Sequence, residues 1–149
     1  MPAQISFELI TPEGLKFHSD VYEVMLPTPQ GQIAVLPNHS PLVTIVSPGI
    51  ISIRKRQEEG DDKLENLATS GGFSQIDGRR VRLLADTAER ADDIDELKAK
   101  EALERARELQ KTAKDQVALA DATTLLEQNM ARLKVAERRR RTRRTSTGG

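Results

Sequence analysis

The sequence predicts a small all-β unit, either a sandwich or a barrel, joined to a helical C-terminal half. Three observations carry this. Through residues 1–88, short runs with period-two alternation recur at intervals of roughly ten residues, with Gly, Pro, Asn or Asp between them. From Asp92 to Thr147 there is neither glycine nor proline, while Ala and Leu recur at steps of three and four. The composition also changes near residue 88: Phe7, Phe17, Tyr22 and Phe73 all precede it, and 15 of the 23 basic residues follow it. A boundary is placed there, giving a β domain over 1–88, a helical domain over 89–141 and a disordered tail over 142–149.

The β elements follow in chain order. Ile5, Phe7 and Leu9 alternate with Ser6 and Glu8, the pattern of a strand with one wet face. Thr11-Pro12-Glu13-Gly14 is a turn by composition, and Leu15 with Phe17 resumes the alternation. Val21 to Leu26 is the next strand, expected to end at Pro27. Gln30 to Val43 is the stretch around which this half is organised. Ile33 and Val35 mark a half-buried strand, Pro37 stops it, and Asn38, His39 and Ser40 form a corner closed by Pro41. Two prolines leave that corner little conformational freedom. Leu42 to Val46, Ile50 to Ile53, Leu64 to Ala68, Gly72 to Ile76 and Arg80 to Leu84 complete eight or nine strands. Asp77-Gly78 is a hairpin turn signal. The charged stretch Glu58 to Asp62 lies at a solvated loop tip and lacks the ligand spacing of a calcium loop.

In the helical half, Asp93 followed by Glu96 reads as a starting cap. Ala99, Ala102 or Leu103, Ala106, Leu109 and Ala113 form one apolar stripe; Ala122, Leu125 or Leu126, Met130, Leu133 and Ala136 form another. Alanine buries little area, so contact through these stripes stabilises weakly. Lys114-Asp115-Gln116 is a plausible turn without a glycine. The pattern permits either a folded hairpin or a single helix of ~45 residues, which at 1.5 Å per residue spans ~70 Å.

The residues exclude several functions. There is no run of eighteen apolar residues, so no transmembrane helix is expected. Met1-Pro2-Ala3-Gln4 has neither the basic region nor the apolar core of a signal peptide. The sequence has no cysteine, which removes disulfides and thiolate metal sites. No phosphate-loop pattern and no nucleophile-elbow serine is present, and His18 and His39 lack partners at metal-ligand spacing. A non-catalytic chain without cofactor or metal is the expectation. His39 reads either as a corner residue satisfying nearby backbone groups or as a partner contact beside Gln32. The run Arg138 to Arg141, with Arg143 and Arg144, suits a helix C-terminus and an acidic protein surface. A nucleic-acid-binding tail is the rival reading, but it lacks aromatic residues for stacking and a recognition fold.

The run Gly31-x-Ile33-x-Val35-Leu36-Pro37-x-His39-x-Pro41-Leu42-Val43 resembles the signature of the epsilon subunit of F-type ATP synthases, called delta in mitochondria. Gly71-Gly72-Phe73 and Leu83-Leu84-Ala85-Asp86-Thr87-Ala88-Glu89 are similar to further segments of that family. The resemblance implies an all-β sandwich of about ten strands followed by a C-terminal α-helical hairpin. It also implies a place on the central stalk, bound to the gamma subunit and resting on the proton-carrying c-subunit ring. Gln32 and His39 match the loop turned toward that ring. The helical hairpin of bacterial members regulates ATP hydrolysis, with basic residues meeting the catalytic beta subunits; Arg132, Arg138 and Arg139 are the candidates here. ATP is the one regulatory ligand that the resemblance admits, through Glu89, Ile94, Asp95, Lys98, Arg105 and Arg132. Lys98 stands where the nucleotide motif has arginine, and Gln128 stands where another arginine is found. The first change loses a planar bidentate fork, and both weaken the site. The implied location is peripheral, on the cytoplasmic side of a bacterial plasma membrane or the stromal side of a thylakoid, touching the membrane only through the complex.

Overall fold

Alternation in the strands decides the architecture. The computed structural model describes residues 3–147, and among these ten strands form two five-stranded sheets. The first sheet holds β1 (Ile5–Thr11), β2 (Gly14–Val21), β5 (Leu42–Val46), β8 (Gly72–Ile76) and β9 (Arg80–Ala85), in the spatial order β2-β1-β9-β8-β5. The second holds β3 (Glu23–Thr28), β4 (Gly31–Val35), β6 (Gly49–Arg54), β7 (Glu65–Thr69) and β10 (Ala88–Arg90), in the order β10-β7-β6-β3-β4. In β1, Ile5, Phe7 and Leu9 are fully buried while Ser6, Glu8 and Ile10 are half-covered, so one face is dry. The same face of β9 supplies Val81 and Leu83, paired in parallel with Phe7 and Leu9. From the opposite sheet Val24, Leu26, Val35, Ile51, Ile53 and Leu67 meet them, and this is the packed core. The Phe7 and Phe17 rings sit 5.5 Å apart and tilted, a favourable aromatic geometry.

Turns follow local chemistry. Asp77 accepts from the backbone N–H of Arg79 at 2.8 Å and of Arg80 at 2.9 Å, closing the β8–β9 hairpin. Those two donors hold its carboxyl below the usual carboxylate range. At the corner after β4, Asn38 takes φ +67°, the left-handed region that Asn tolerates better than most side chains. Its N–H donates to the Gly78 carbonyl at 2.9 Å, which ties the corner to the neighbouring hairpin.

Three strand boundaries differ from expectation: Val21, paired with Ile5, closes β2 instead of opening the next strand, which begins at Glu23. Residues 23–28 pass through Pro27 rather than ending there, because the missing N–H falls where no ladder needs it. Strand β6 pairs only with Glu23 to Met25, and the Pro27 carbonyl instead accepts from Ser47 N–H at 2.9 Å. The tenth strand, β10, pairs with β7 through Leu67 to Thr69, so the sandwich extends past residue 88 to Arg90. Its residues Glu89 and Arg90 carry no alternating apolar signal, which is why sequence pattern places the boundary too early.

Helix α1 (Glu96–Thr112) starts at Asp95, not Asp93: Asp95 Oδ1 accepts from Lys98 N–H at 3.1 Å, while residues 91–93 form a 3-10 turn. Helix α2 (Gln116–Thr147) is capped by Asp115, whose Oδ1 accepts from Ala118 N–H at 2.7 Å. Between them Ala113 is extended, so the half folds as a hairpin. The pair is antiparallel, with Gln110 donating to Thr123 at 3.2 Å near the turn and Arg140 to Glu96 at 3.0 Å near the open end. The tail expected to be disordered from residue 142 is helical through Thr147, since arginine propagates a helix well and is favoured at its C-terminus. Residues 148 and 149 lie outside the described residues.

The hairpin has no separate core. Ile94, Ala99, Ala131, Val135 and Ala136 cluster with Ala68 of β7, with Ile50 and Leu133 packed at the margin, while Leu103, Ala106 and Ala122 are buried outside that cluster. On α2 the expected Ala122 and Ala136 are buried, but the middle of the stripe is shifted by about one residue. Met130 is 50% exposed, while Ala131 and Val135 are buried. A helix that faces both a partner helix and a sheet buries a wider arc than the narrow stripe suggests.

Candidate functional site

The hairpin meets the sandwich along a seam of arginines. Arg132, in the fifth turn of α2, donates through Nε to Glu89 Oε2 on β10 at 3.0 Å and through Nη1 to Asn129 Oδ1 at 3.0 Å. About two turns later Arg138 reaches Asn66 Oδ1 on β7 at 3.4 Å. Arg139 pairs with Asp92 at 2.6 Å and donates to the Ala91 carbonyl at 3.5 Å, both in the connecting 3-10 turn. Arg140 pairs with Glu96 at 3.0 Å and so ties α2 to the first turn of α1. The side chains of Arg132 and Glu89 are both largely covered, which shields their attraction from water better than at an open surface.

Beside this seam lies a cleft of about 380 Å³, lined by Asn66, Arg90, Asp92, Val135, Arg138 and Arg139 among others. Arg90 is bonded to Glu65, and that carboxylate holds its guanidinium above the ordinary arginine range. The Arg90 guanidinium also lies 5.6 Å above the Phe17 ring, joining the two sheets at this end. Arg138 meets no carboxylate within ion-pair distance among the described residues. All three arginines expected to contact a partner are thus already engaged within the chain, with Glu89, Asn66 and Asp92.

The residues expected around a nucleotide come together only in part. Glu89 and Arg132 are joined to each other, Ile94 is in the small core, and Asp95 caps α1. Lys98 and Arg105 lie exposed on α1, and Lys98 meets the group only through its backbone N–H, which donates to Asp95. Gln128 donates to Thr87 Oγ1 at 3.2 Å, a further tie between α2 and the sandwich. Sequence pattern points to Glu96 only as a cap residue, and to Asn66, Asp92 and Asn129 not at all. Their partners lie as far as 72 residues away, and no local spacing announces such pairs.

Gln32 and His39 do not meet. Gln32 is exposed near the start of β4, opposite Pro27, and His39 lies beyond the other end, in the proline-bounded corner. His39 Nδ1 is 2.6 Å from the Ser40 carbonyl, the local backbone contact of the first reading above. On the outer face of the first sheet, the edge strand β5 and its neighbour present an apolar strip: Val43 is 68% exposed, Ile45 64% and Phe73 43%, with Ile45 directly opposite Phe73. No helix among the described residues is long and apolar enough to cross a membrane.

The architecture is that of a two-part chain, a two-sheet sandwich with a helical hairpin clasped to one sheet by arginines. Residues 4–91 match the model of the ATP synthase Delta/Epsilon chain β-sandwich domain. The chain is 38% identical to the ATP synthase epsilon chain of Chloroflexus aggregans, over 95% of its own length and 99% of that relative. It is 37% identical to the ATP synthase epsilon chain of Moorella thermoacetica, over 90% and 97% respectively. A chain in the cryo-EM structure of the Euglena gracilis mitochondrial ATP synthase (OSCP/F1/c-ring) superposes with a TM-score of 0.73 at 25% identity, covering 91% of this chain and 82% of that one. The chain belongs to the ATP synthase epsilon chain family. It is a non-catalytic central-stalk component of an F-type ATP synthase.

Proposed function

We propose that this subunit couples rotation of a proton-driven c-subunit ring to ATP synthesis, and that its helical hairpin regulates ATP hydrolysis. The observation that carries the regulatory part is the seam. It consists of small apolar side chains and hydrogen-bonded arginines, a contact whose loss leaves the continuous core of the sandwich untouched. The sandwich is the rigid part, because its core is continuous and close-packed interiors deform little. In this reading the strip at Val43, Ile45 and Phe73 docks the gamma subunit. Gln32 and His39 are two separated contacts toward the ring. Arg132, Arg138 and Arg139 engage an acidic segment of a catalytic beta subunit once the hairpin leaves the sandwich. The location is peripheral, at the cytoplasmic face of a bacterial plasma membrane.

The test is ATP hydrolysis by the reconstituted rotor and catalytic head with the full chain and with a truncation ending at Asp93, which keeps β10. Truncation is expected to raise the hydrolysis rate severalfold while gamma binding stays the same. Equal rates with equal binding would overturn the regulatory role and leave the stalk role standing.

A further inference from the structure

We propose that the cleft beside the arginine seam binds a soluble inorganic oligophosphate, a chain of two or more phosphoryl groups. The site is present with the hairpin folded, and it uses none of the six residues that the family resemblance assigns to a nucleotide. It goes beyond the function proposed above and does not depend on any movement of the helices.

Charge is the first observation. The whole chain has no net charge, yet Lys63, Arg90, Arg138, Arg139 and Arg143 all line this cleft. Only three acids stand against them, Asp62, Glu65 and Asp92, so positive charge is in excess. Glu65 is shared by Arg90 and by Lys55 at 3.3 Å, and Asp92 is taken by Arg139 at 2.6 Å. Arg138 and Lys63 remain. Arg138 reaches only Asn66 Oδ1, at 3.4 Å, and that oxygen already accepts from Ser52 Oγ at 2.7 Å. Lys63 makes no ion pair among the described residues, and both residues are exposed. Most of their donors therefore face water, and an anion can take them without displacing an existing partner.

The walls are fixed before any ligand arrives. Lys63 ends the 3-10 turn Asp61–Lys63, which Arg54 holds by donating to the Glu59 carbonyl at 2.6 Å and to Asp61 Oδ1 at 2.7 Å. Arg54 is anchored in turn by Glu23 on β3 at 3.3 Å. Ser52, opposite Asn66 in the β6–β7 ladder, fixes the amide between Arg138 and the sheet. Cations set in place by other contacts lose less freedom when they bind. The volume of about 380 Å³ lies at the small end of ligand sites and suits a compact anion rather than a protein segment. Phosphoryl oxygens match guanidinium forks and lysine ammonium alike, and a chain of them reaches cations from β10, α2 and the 3-10 turn together. No aromatic side chain is among the described residues lining the cleft, so a nucleobase would gain no stacking. The occupant these walls suit is therefore the phosphate chain without a nucleoside.

The experiment titrates tripolyphosphate, inorganic phosphate and ATP into the isolated full-length chain, with affinity read by calorimetry and position by amide NMR shifts. Tripolyphosphate is expected to bind saturably, at least about tenfold tighter than inorganic phosphate and no weaker than ATP. Its shifts should centre on Lys63, Asn66 and Arg138. A double variant, Lys63→Ala with Arg138→Ala, is expected to weaken it by about tenfold or more, since two charge-assisted contacts are lost. A second, Lys98→Ala with Arg105→Ala, removes the same charge from α1 and two residues of the implied nucleotide site. It should change the affinity by less than about twofold. Absence of saturable binding, shifts centred on α1, tighter binding of ATP, or equal losses in the two variants would overturn the proposal. Should the first variant lose its cooperative urea transition, the shift map of the unaltered chain decides. None of these outcomes bears on the hydrolysis assay, which can succeed or fail separately.

Discussion

Gly71 and Gly72, side by side at the entry to β8, are both required, for different reasons. Gly71 has φ +104°, a backbone conformation that L side chains rarely adopt, and a Cβ there would also lie 2.8 Å from the Val46 carbonyl oxygen. Gly72 has ordinary dihedrals, but its Cβ would fall 1.9 Å from the Leu84 carbonyl oxygen and 2.8 Å from Ala85 Cα. Both obstacles are backbone of β9, its ladder partner, so no rotamer change relieves them. Gly31, with φ +113°, has nothing within 4 Å of an added Cβ, so substitution there meets backbone strain alone. Urea unfolding should rank them accordingly. Gly72→Ala is expected to lose about 3 kcal/mol or more through overpacking against immobile atoms. Gly31→Ala should lose only about 1–2 kcal/mol from left-handed strain. Equal losses would mean that β8 and β9 separate freely here, contrary to the tight pairing of Gly72 with Ala85.

At the scale of elements, strands and helices differ in how far sequence defines them. Strands β1, β5, β8 and β9 were legible because alternation and turn residues agree at each of them. On α2 the buried residues were partly misassigned, since an alanine-rich helix looks alike on several faces and only Ala68 and Ile50 decide which one turns inward. The seam was illegible for a further reason: Arg132 and Glu89 stand 43 residues apart, and charge alone names no partner. The outer strip on β5 was visible as apolar residues but not as an exposed surface. Its prediction concerns Ile45→Lys. The side chain points away from the core and is 64% exposed, so stability should change by no more than about 0.5 kcal/mol. Affinity for the gamma subunit, measured by titration, should fall at least tenfold, as expected for a charge placed in a desolvated apolar contact. Unchanged affinity would move the gamma interface elsewhere on the sandwich.

For the whole molecule the decisive feature is the inequality of its two cores. The sandwich core joins residues from both sheets, including Phe7, Leu26, Ile51, Ile53 and Leu83, all without solvent exposure. The helical cluster is made mostly of alanines and is completed by Ala68 of the sandwich. One half can therefore stand alone and the other cannot. A chain ending at Asp93 is expected to fold with a cooperative urea transition, a smaller m-value because less surface is exposed on unfolding, and a stability within about 2 kcal/mol of the parent. A chain ending at Ala88 should be less stable than that, because it loses the pairing of Glu89 and Arg90 with Ala68 and Leu67 and the Arg90 bond to Glu65. If the Asp93 truncation instead gave a broad transition and bound hydrophobic dye, the hairpin would be part of the sandwich's own stability. Release would then unfold the subunit's rigid half, and no reversible switch could be built on it. A cooperative transition is thus the condition under which a subunit can hold its place on a rotating stalk while its helices come and go.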